Sequence, residues 1–506
     1  MFRKRIAAAS LIAAATFVAG MAAPLRASAE VIDLDEEKDK GQVIDLDEEG
    51  GKTAAAGPVV AGEPTEGFAA AKRAFDQEKW PEAAQGMFKV VSGETGDDPG
   101  NKQLAEFYLA TSLYRLKFFQ ASFAIFSVIA EQPNHLKFNE TLLWLSKLAL
   151  DLPEPADIIA RVGKYSDENL SRFDNKQSQE VYWRLNHMLG RYKYRQGEFE
   201  EAIRLFQKVD KSSPDYVKSQ FFSGISYVRL KKSVPAVQAF QRIVKAVDEG
   251  GVEGVEDEDR LRDLANLSMA RTYYSASIRL DPETNAPTID AKKLSAAVKY
   301  WNVVDESSEY WLDAQFEEAW AYFMAGQYTR ALGNIHTINA PYFPNAFYPE
   351  ADILKAVVYF YNCDYEKATV VVARFNQKTQ PVKDELEKVL KKYQGENQEE
   401  EFYKFLLKVR EGNANIDPKV EPIVASALSD RQLLKNIEYV NALEEEMKRF
   451  KKSPPTFQSS PIGDQVEQAL GLARTLAIKQ AGRLAQQRYQ RYVDEMAEHM
   501  RNGDKI

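Results

Sequence analysis

Small residues recur in this chain at a fixed separation of 34: Gly190 is followed by Gly224, Ala202 by Ala236 and Ala297 by Ala331. Aromatic residues travel with them. Leu189-Gly190, Tyr192 and Tyr194 lead through Gly197 and Phe199 to Ala202, Phe206 and Pro214, and one unit later Gly224 and Tyr227 lead to Ala236, Phe240 and Ile243. A repeat of this length makes one helical hairpin, which cannot bury its apolar face alone and must stack on its neighbours. Glycine or alanine lets two antiparallel helices approach closely, and the aromatics fill the space between successive pairs. The period therefore predicts an all-α superhelical solenoid.

The frame extends in both directions. Ala319, Tyr322, Gly326, Tyr328 and Ala331 form another unit, and Ala356, Tyr359, Tyr365 and Ala368 the next. Ala270 with Tyr273 and Ala297 with Trp301 make a unit whose inter-helix turn is enlarged between Asp281 and Asp290. Upstream, Trp80 to Ala84 with Phe88 begin the array, Leu113-Tyr114 through Phe126 and Pro133 continue it, and Leu142 to Val162 read as a degenerate helix pair. Seven recognisable repeats and one degenerate repeat are expected over residues 67–378. These residues resemble the tetratricopeptide-repeat (TPR) family. The resemblance implies a right-handed superhelix whose first helices line a concave groove that binds peptides or partner domains. Lys193 stands where the pattern has an aromatic, and Cys363 where it has a turn glycine. The signal-plus-repeat arrangement and the run from Phe347-Tyr348-Pro349-Glu350-Ala351 through Cys363, Tyr365 and Ala368 are, further, similar to the periplasmic TPR proteins of myxobacterial adventurous gliding motility.

The start of the chain predicts export. Arg3, Lys4 and Arg5 precede an apolar or small-residue stretch from Ile6 to Ala23, and Ala27-Ser28-Ala29 has the small-x-small pattern of a signal-peptidase site, so residues 1–29 read as a signal peptide cleaved after Ala29. An uncleaved anchor is the alternative; Gly20 and Pro24 interrupt the stretch, and it falls short of the roughly 20 strongly apolar residues that span a bilayer. No later stretch of the sequence reads as a transmembrane helix. The expected location is periplasmic, with peripheral association at the outer membrane open. Cys363 is the only cysteine, so no internal disulfide is available.

Residues 30–66 change character, with acidic residues, Gly, Ala and Pro and few aliphatics, and predict a disordered acidic tail. Within it Val31-Ile32-Asp33-Leu34-Asp35-Glu36-Glu37 recurs unchanged as Val43-Ile44-Asp45-Leu46-Asp47-Glu48-Glu49. Asp33, Asp35, Asp45 and Asp47, alternating with aliphatics, suit a docking peptide; a duplicated solvating tail is the alternative. The net charge of -9 argues against nucleic acid as a partner, since a nucleic-acid footprint needs a basic excess.

Residues 379–506 abandon the repeat and predict a C-terminal helical hairpin of coiled-coil character. Ser429 or Asp430 is placed to cap a helix running to about Phe450, in which Leu433, Ile437, Val440 and Met447 recur at three- and four-residue steps. After Pro454-Pro455, a helix from about Asp464 to Met500 returns with Val466, Leu470, Ala473, Leu484, Tyr492 and Met496. The pair is expected to cap or extend the solenoid.

The sequence nominates no catalytic, cofactor-binding or metal-ligating residues. His135, His187, His336 and His499 are scattered without ligand spacing, and Gly51-Lys52-Thr53 imitates a phosphate loop but has Leu46 where the first glycine is required. Candidate binding residues come instead from the first helices of the repeats. Arg184, His187, Arg191 and Arg195 share one helix face at three- and four-residue steps, which by the TPR resemblance looks into the groove. Phe316, Trp320, Phe323 and Phe360 make its aromatic C-terminal end, either for a partner or as a seat for the C-terminal hairpin. The expected function is a non-enzymatic scaffold or adaptor for envelope proteins or peptides, in a gliding-motility or other trans-envelope complex. Alternatives are a periplasmic chaperone or assembly factor for outer-membrane or peptidoglycan machinery and, from another class, an enzyme or enzyme activator.

Overall fold

A computed structural model describes residues 59–506, apart from 252–253, 256, 281–286, 344–347, 418–420, 422–423 and 425–429. The expected signal peptide, both acidic heptads with Asp33, Asp35, Asp45 and Asp47, and Phe347 lie outside the described residues. The described chain is all-helical but for one short ribbon. Helices pair as α1 (Glu66–Asp76) with α2 (Trp80–Val91), and α3 (Pro99–Arg115) with α4 (Phe119–Ala130). Then α5 (Phe138–Asp151) is followed not by one helix but by a 3-10 turn (Glu154–Ala156) and the short α6 (Ile158–Val162) and α7 (Asp167–Ser171). Regular pairing resumes with α8 (Gln179–Arg195) and α9 (Phe199–Phe206), and α10 (Tyr216–Arg229) and α11 (Ser233–Asp248). In the next hairpin α12 (Glu258–Ser277) and α13 (Ala291–Trp301) are joined by antiparallel β1 (Ile278–Leu280) and β2 (Pro287–Ile289). Last come α14 (Trp311–Met324) with α15 (Tyr328–Ile338), and α16 (Pro349–Tyr361) with α17 (Tyr365–Lys392).

The small residues act where the period places them. A Cβ added at Gly190 would lie 2.6 Å from the Phe206 ring, and at Gly224 it would run into Phe240, so each glycine lets an aromatic of the second helix seat against the first. The turn inside a hairpin repeats one backbone form: Glu78, Lys117, Gly197, Lys231, Gly326 and Cys363 all have left-handed φ, between 58° and 79°. At each of them two amides turn back onto the first helix, as Gly197 N–H to the Tyr194 carbonyl and Glu198 N–H to the Lys193 carbonyl. This Schellman arrangement satisfies carbonyls the helix end would otherwise orphan. Cys363 thus occupies the turn position that glycine takes in other hairpins, at the conformational cost a side chain carries there.

The C-terminal region is helical, as expected, and touches both the last and the first hairpins. After α18 (Gln398–Arg410) come α19 (Arg431–Lys451), the short α20 (Pro455–Gln458) and α21 (Pro461–Gly503). Asp430 caps α19 by accepting from Leu433 N–H, and Ser460 caps α21 by accepting from Gly463 N–H. The 43 residues of α21 span about 65 Å at 1.5 Å each. That reach lets it touch α16 and α17 at one end and α2 and α4 at the other. Its Val466, Leu470, Ala481 and Tyr489 share one continuous core with Phe68, Met87, Leu109 and Phe118 of the first two hairpins. The solenoid is therefore closed onto its own beginning.

Candidate partner-binding surfaces

The arginine face of α8 is not an open cationic groove. His187 is buried, its Nδ1 2.8 Å from Ser219 Oγ on α10. Arg191, 8% exposed, pairs with Glu154 at 2.6 Å, and its guanidinium lies 5.2 Å from the centre of the Phe222 ring. Arg195 pairs with Asp157 at 2.8 Å, and Arg184 faces Asp215 at 3.6 Å. The cause is the eroded third hairpin: where a regular second helix would run, the 3-10 turn delivers Glu154 and Asp157 to the end of α8. Those two carboxylates stand in plain sight in the sequence, but only the irregular turn brings them to the arginines.

The helix α19 lies across the same region. Its Arg431 joins Arg260 on Glu309, at 2.7 Å for Arg431, and its Lys435 shares Glu154 with Arg191. Further along, Tyr439 donates to the Gln120 side-chain oxygen at 2.8 Å, and both Glu446 carboxylate oxygens lie 3.2 Å from Gln120 N–H. Glu446 serves the start of α4, which has no side-chain cap of its own. Arg449 donates to the Lys117 carbonyl at 2.6 Å. Burial pushes the Glu446 carboxyl up to about 7, against the pull of the Gln120 and Phe119 amides and Arg449. At the far end of α21, His499 meets Glu350 at 3.3 Å; burial opposes its charge, yet Glu350, Glu495 and Glu498 together hold its pKa above the ordinary histidine value.

Three of the four candidate aromatics are core. Phe316, Trp320 and Phe323 are 7–8% exposed and pack with Ile353, Val357 and Phe375, with Met500 and Ile506 of the C-terminal end lying against the same cluster. Phe360 differs. It is 42% exposed and continues through Tyr361 and Tyr365, with ring centres 6.1 and 5.4 Å away, along the turn edge of the eighth hairpin.

A buried polar network that sequence reasoning missed ties the sixth hairpin to the seventh. Glu317 accepts from Arg271 Nε at 2.8 and 2.9 Å and from Trp301 Nε1 at 3.1 Å. Its neighbour Glu318 accepts from Asn302, Tyr322 and Asn334 at 2.7–2.9 Å. The available signal was two adjacent carboxylates inside an otherwise aromatic and alanine-rich helix. Among the described residues no three His, Cys, Asp or Glu side chains are grouped to hold a metal ion, and no helix is long and apolar enough to cross a membrane.

The chain matches no protein-family model, and no curated protein matches it. Solved structures similar to it include a tetratricopeptide repeat protein from Parabacteroides merdae, at 13% identity over 62% of this chain and 91% of that one, with a TM-score of 0.26. The apo form of RapI matches at 12% identity over 81% of this chain and 97% of that one, with a TM-score of 0.32. Aspartyl phosphate phosphatase F from Bacillus subtilis matches at 13% identity over 84% and 96%, with a TM-score of 0.32. With its 34-residue register and its recurring left-handed turn, this chain is an all-α helical-repeat solenoid of the TPR type.

Proposed function

We propose that this protein is a non-enzymatic interaction scaffold of the bacterial cell envelope, holding proteins or peptides in a gliding-motility or other trans-envelope complex. The observation that carries the binding role is the aromatic edge of the eighth hairpin. Phe360, Tyr361 and Tyr365 are 39–56% exposed on a framework whose other large aromatics are mostly buried. Clustered exposed apolar side chains mark interaction sites on soluble proteins, and the closed solenoid beneath them holds their spacing. The envelope assignment is supported by the basic start, the apolar stretch and the Ala27-Ser28-Ala29 site.

Two measurements test it. Mass spectrometry of the mature N-terminus is expected to begin at Glu30; a chain retaining Met1 in a membrane overturns the export reading. Affinity capture from envelope fractions is expected to yield a stable stoichiometric set of partners that Phe360→Ala with Tyr365→Ala loses. Capture of many transient unfolded clients would favour a chaperone, and partners indifferent to the double change would remove this edge from the proposal.

A further inference from the structure

A different surface carries charge that the fold leaves unanswered. At the end of α3 the Arg115 guanidinium sits between two indoles, 5.7 Å from the Trp80 ring centre and 5.9 Å from that of Trp144. Lys147 Nζ lies 4.7 Å from the centre of the same Trp144 ring. Neither cation has a carboxylate partner among the described residues. Asp151, the nearest acid on α5, is taken by the Tyr114 hydroxyl at 2.6 Å, and Glu446 is buried at the start of α4. Burial and the neighbouring Arg115 both push the Lys147 pKa down, so the pair repels itself in the absence of an anion. The closure of the solenoid adds to the excess: Arg449 reaches the Lys117 carbonyl, two residues beyond Arg115, and so brings a further cation beside exposed Lys117. In a chain of net charge -9, this is a local concentration of positive charge on aromatic rings, with Leu150, 67% exposed, one turn beyond Lys147.

The start of the described chain is tied to the other end of the same helix. Ala61 crosses Gly100 so closely that a Cβ there would be 2.5 Å from its backbone, Gly62 N–H donates to Asp98 at 3.1 Å, and Asn101 donates to the Gly62 carbonyl at 3.2 Å. From there α3, with 17 residues, runs about 25 Å to Arg115. Between Glu49 and Val59 lie nine residues, which extend to about 30 Å at 3.3–3.6 Å each. The second heptad can therefore reach the cations without disturbing the anchored segment.

We infer that the acidic heptad Val43 to Glu49 docks on the edge formed by Arg115, Lys147, Trp80 and Leu150, with its carboxylates on the two cations and its aliphatic side chains on the Trp80 indole and Leu150, while the buried Trp144 ring holds the two cations from beneath. The heptad alternates the two kinds of group this surface offers to receive. Tethering raises its effective concentration to the millimolar range typical of short linkers, so weak exposed ion pairs suffice to hold it. The site is distinct from the arginine face of α8, whose members already pair with Glu154, Asp157 and Asp215. It does not depend on the envelope assignment.

The test uses a fluorescent peptide spanning residues 41–51 and the otherwise full mature chain lacking residues 31–49. The peptide is expected to bind at low salt, to weaken roughly tenfold with Arg115→Glu plus Lys147→Glu, and to be unaffected by Arg195→Glu. In the chain with its tail, amide exchange of residues 43–49 is expected to be slowed and to lose that protection when Asp45 and Asp47 are changed to Lys. Combining those tail changes with the two cation reversals should restore it. If the cation variant does not fold, the tail reversals, which lie outside the solenoid, decide the matter alone. Peptide binding that ignores Arg115 and Lys147, binding lost instead with Arg195→Glu, or tail exchange that is the same with and without the charge reversals each overturns the proposal.

Discussion

Phe118 and Phe457 stack with ring centres 5.9 Å apart and planes only 9° from parallel, joining the turn of the second hairpin to a segment 339 positions later. Phe450 meets the same Phe118 ring edge-on at 6.0 Å. Both partners belong to the C-terminal region, and Phe118 is 1% exposed. This aromatic clasp converts an open repeat array, in which each hairpin contacts only its neighbours, into a structure whose first and last parts hold each other. Phe457→Ala is expected to cost about 3–5 kcal/mol, the range for truncating a buried aromatic. Urea unfolding should then show the C-terminal helices separating before the middle hairpins, and a single unchanged transition would contradict the clasp.

Trp320 offers a cleaner separation of core from surface. At 7% exposed, against Phe323 and within the cluster that Met500 and Ile506 cover, it is a packing residue. Trp320→Ala should destabilise by about 3–5 kcal/mol. Phe360→Ala, on the exposed edge, should change stability by about 0.5 kcal/mol or less. Thermal melts of the two variants side by side check the contrast.

Four hairpin turns place a side chain at a left-handed position: Glu78, Lys117, Lys231 and Cys363. Lys231→Gly and Cys363→Gly should each stabilise the chain by about 1 kcal/mol, since glycine escapes the clash that a Cβ suffers there. Gly197→Ala should do the reverse. Melting temperatures moving in these opposite directions would establish that the turn backbone is fixed by its neighbours and not by the residue that occupies it.

Glu317 is 2% exposed and holds both Arg271 and the Trp301 indole. Removing its charge strands a guanidinium between α12 and α14, a loss of about 3–5 kcal/mol for a broken buried pair. Glu317→Gln keeps the volume and is expected to fall near that range, whereas Arg271→Met with Glu317→Leu should recover much of it, because no unpaired charge is left. A double variant as unstable as the single one would show that the network does more than neutralise itself.

The repeat was legible because its requirement is local. Gly190 against Phe206 and Gly224 against Phe240 are contacts inside one hairpin, so the residues needed sit at fixed offsets in the sequence. The start of α19 was legible for the same reason, through the Asp430 cap. What sequence reasoning could not reach was long-range partnership. Arg191 read as a groove cation because nothing local marks Glu154 as its partner, and that pairing exists only because the third hairpin loses its second helix. The return of α21 to α2 and α4 was hidden likewise: an amphipathic helix states that one face is buried but not against which element.

The clasp also responds to pH, and the sign follows from the groups it buries. Glu446 faces the Gln120 and Phe119 amides of α4, Asp151 of α5, and Arg449 and Tyr439 of its own helix. Burial raises its pKa from an ordinary 4.5 to about 7. Between those values the folded chain keeps a proton that the unfolded chain releases, so stability falls as pH rises through the window, by on the order of 3 kcal/mol in all. His499, facing Glu350 of α16 and Glu495 and Glu498 of α21, works in the same direction at higher pH. Its folded pKa lies above 6.5, so its contribution is complete below that value and disappears as pH climbs through the raised one. Both sutures of the C-terminal region should therefore loosen on alkalinisation. Urea titrations from pH 4.5 to 8 are expected to show a declining stability whose slope flattens between pH 4.5 and 7 in Glu446→Gln and above pH 6.5 in His499→Gln. A wild-type stability that rises across this range, or a Glu446→Gln profile parallel to the wild type, would place the proton elsewhere.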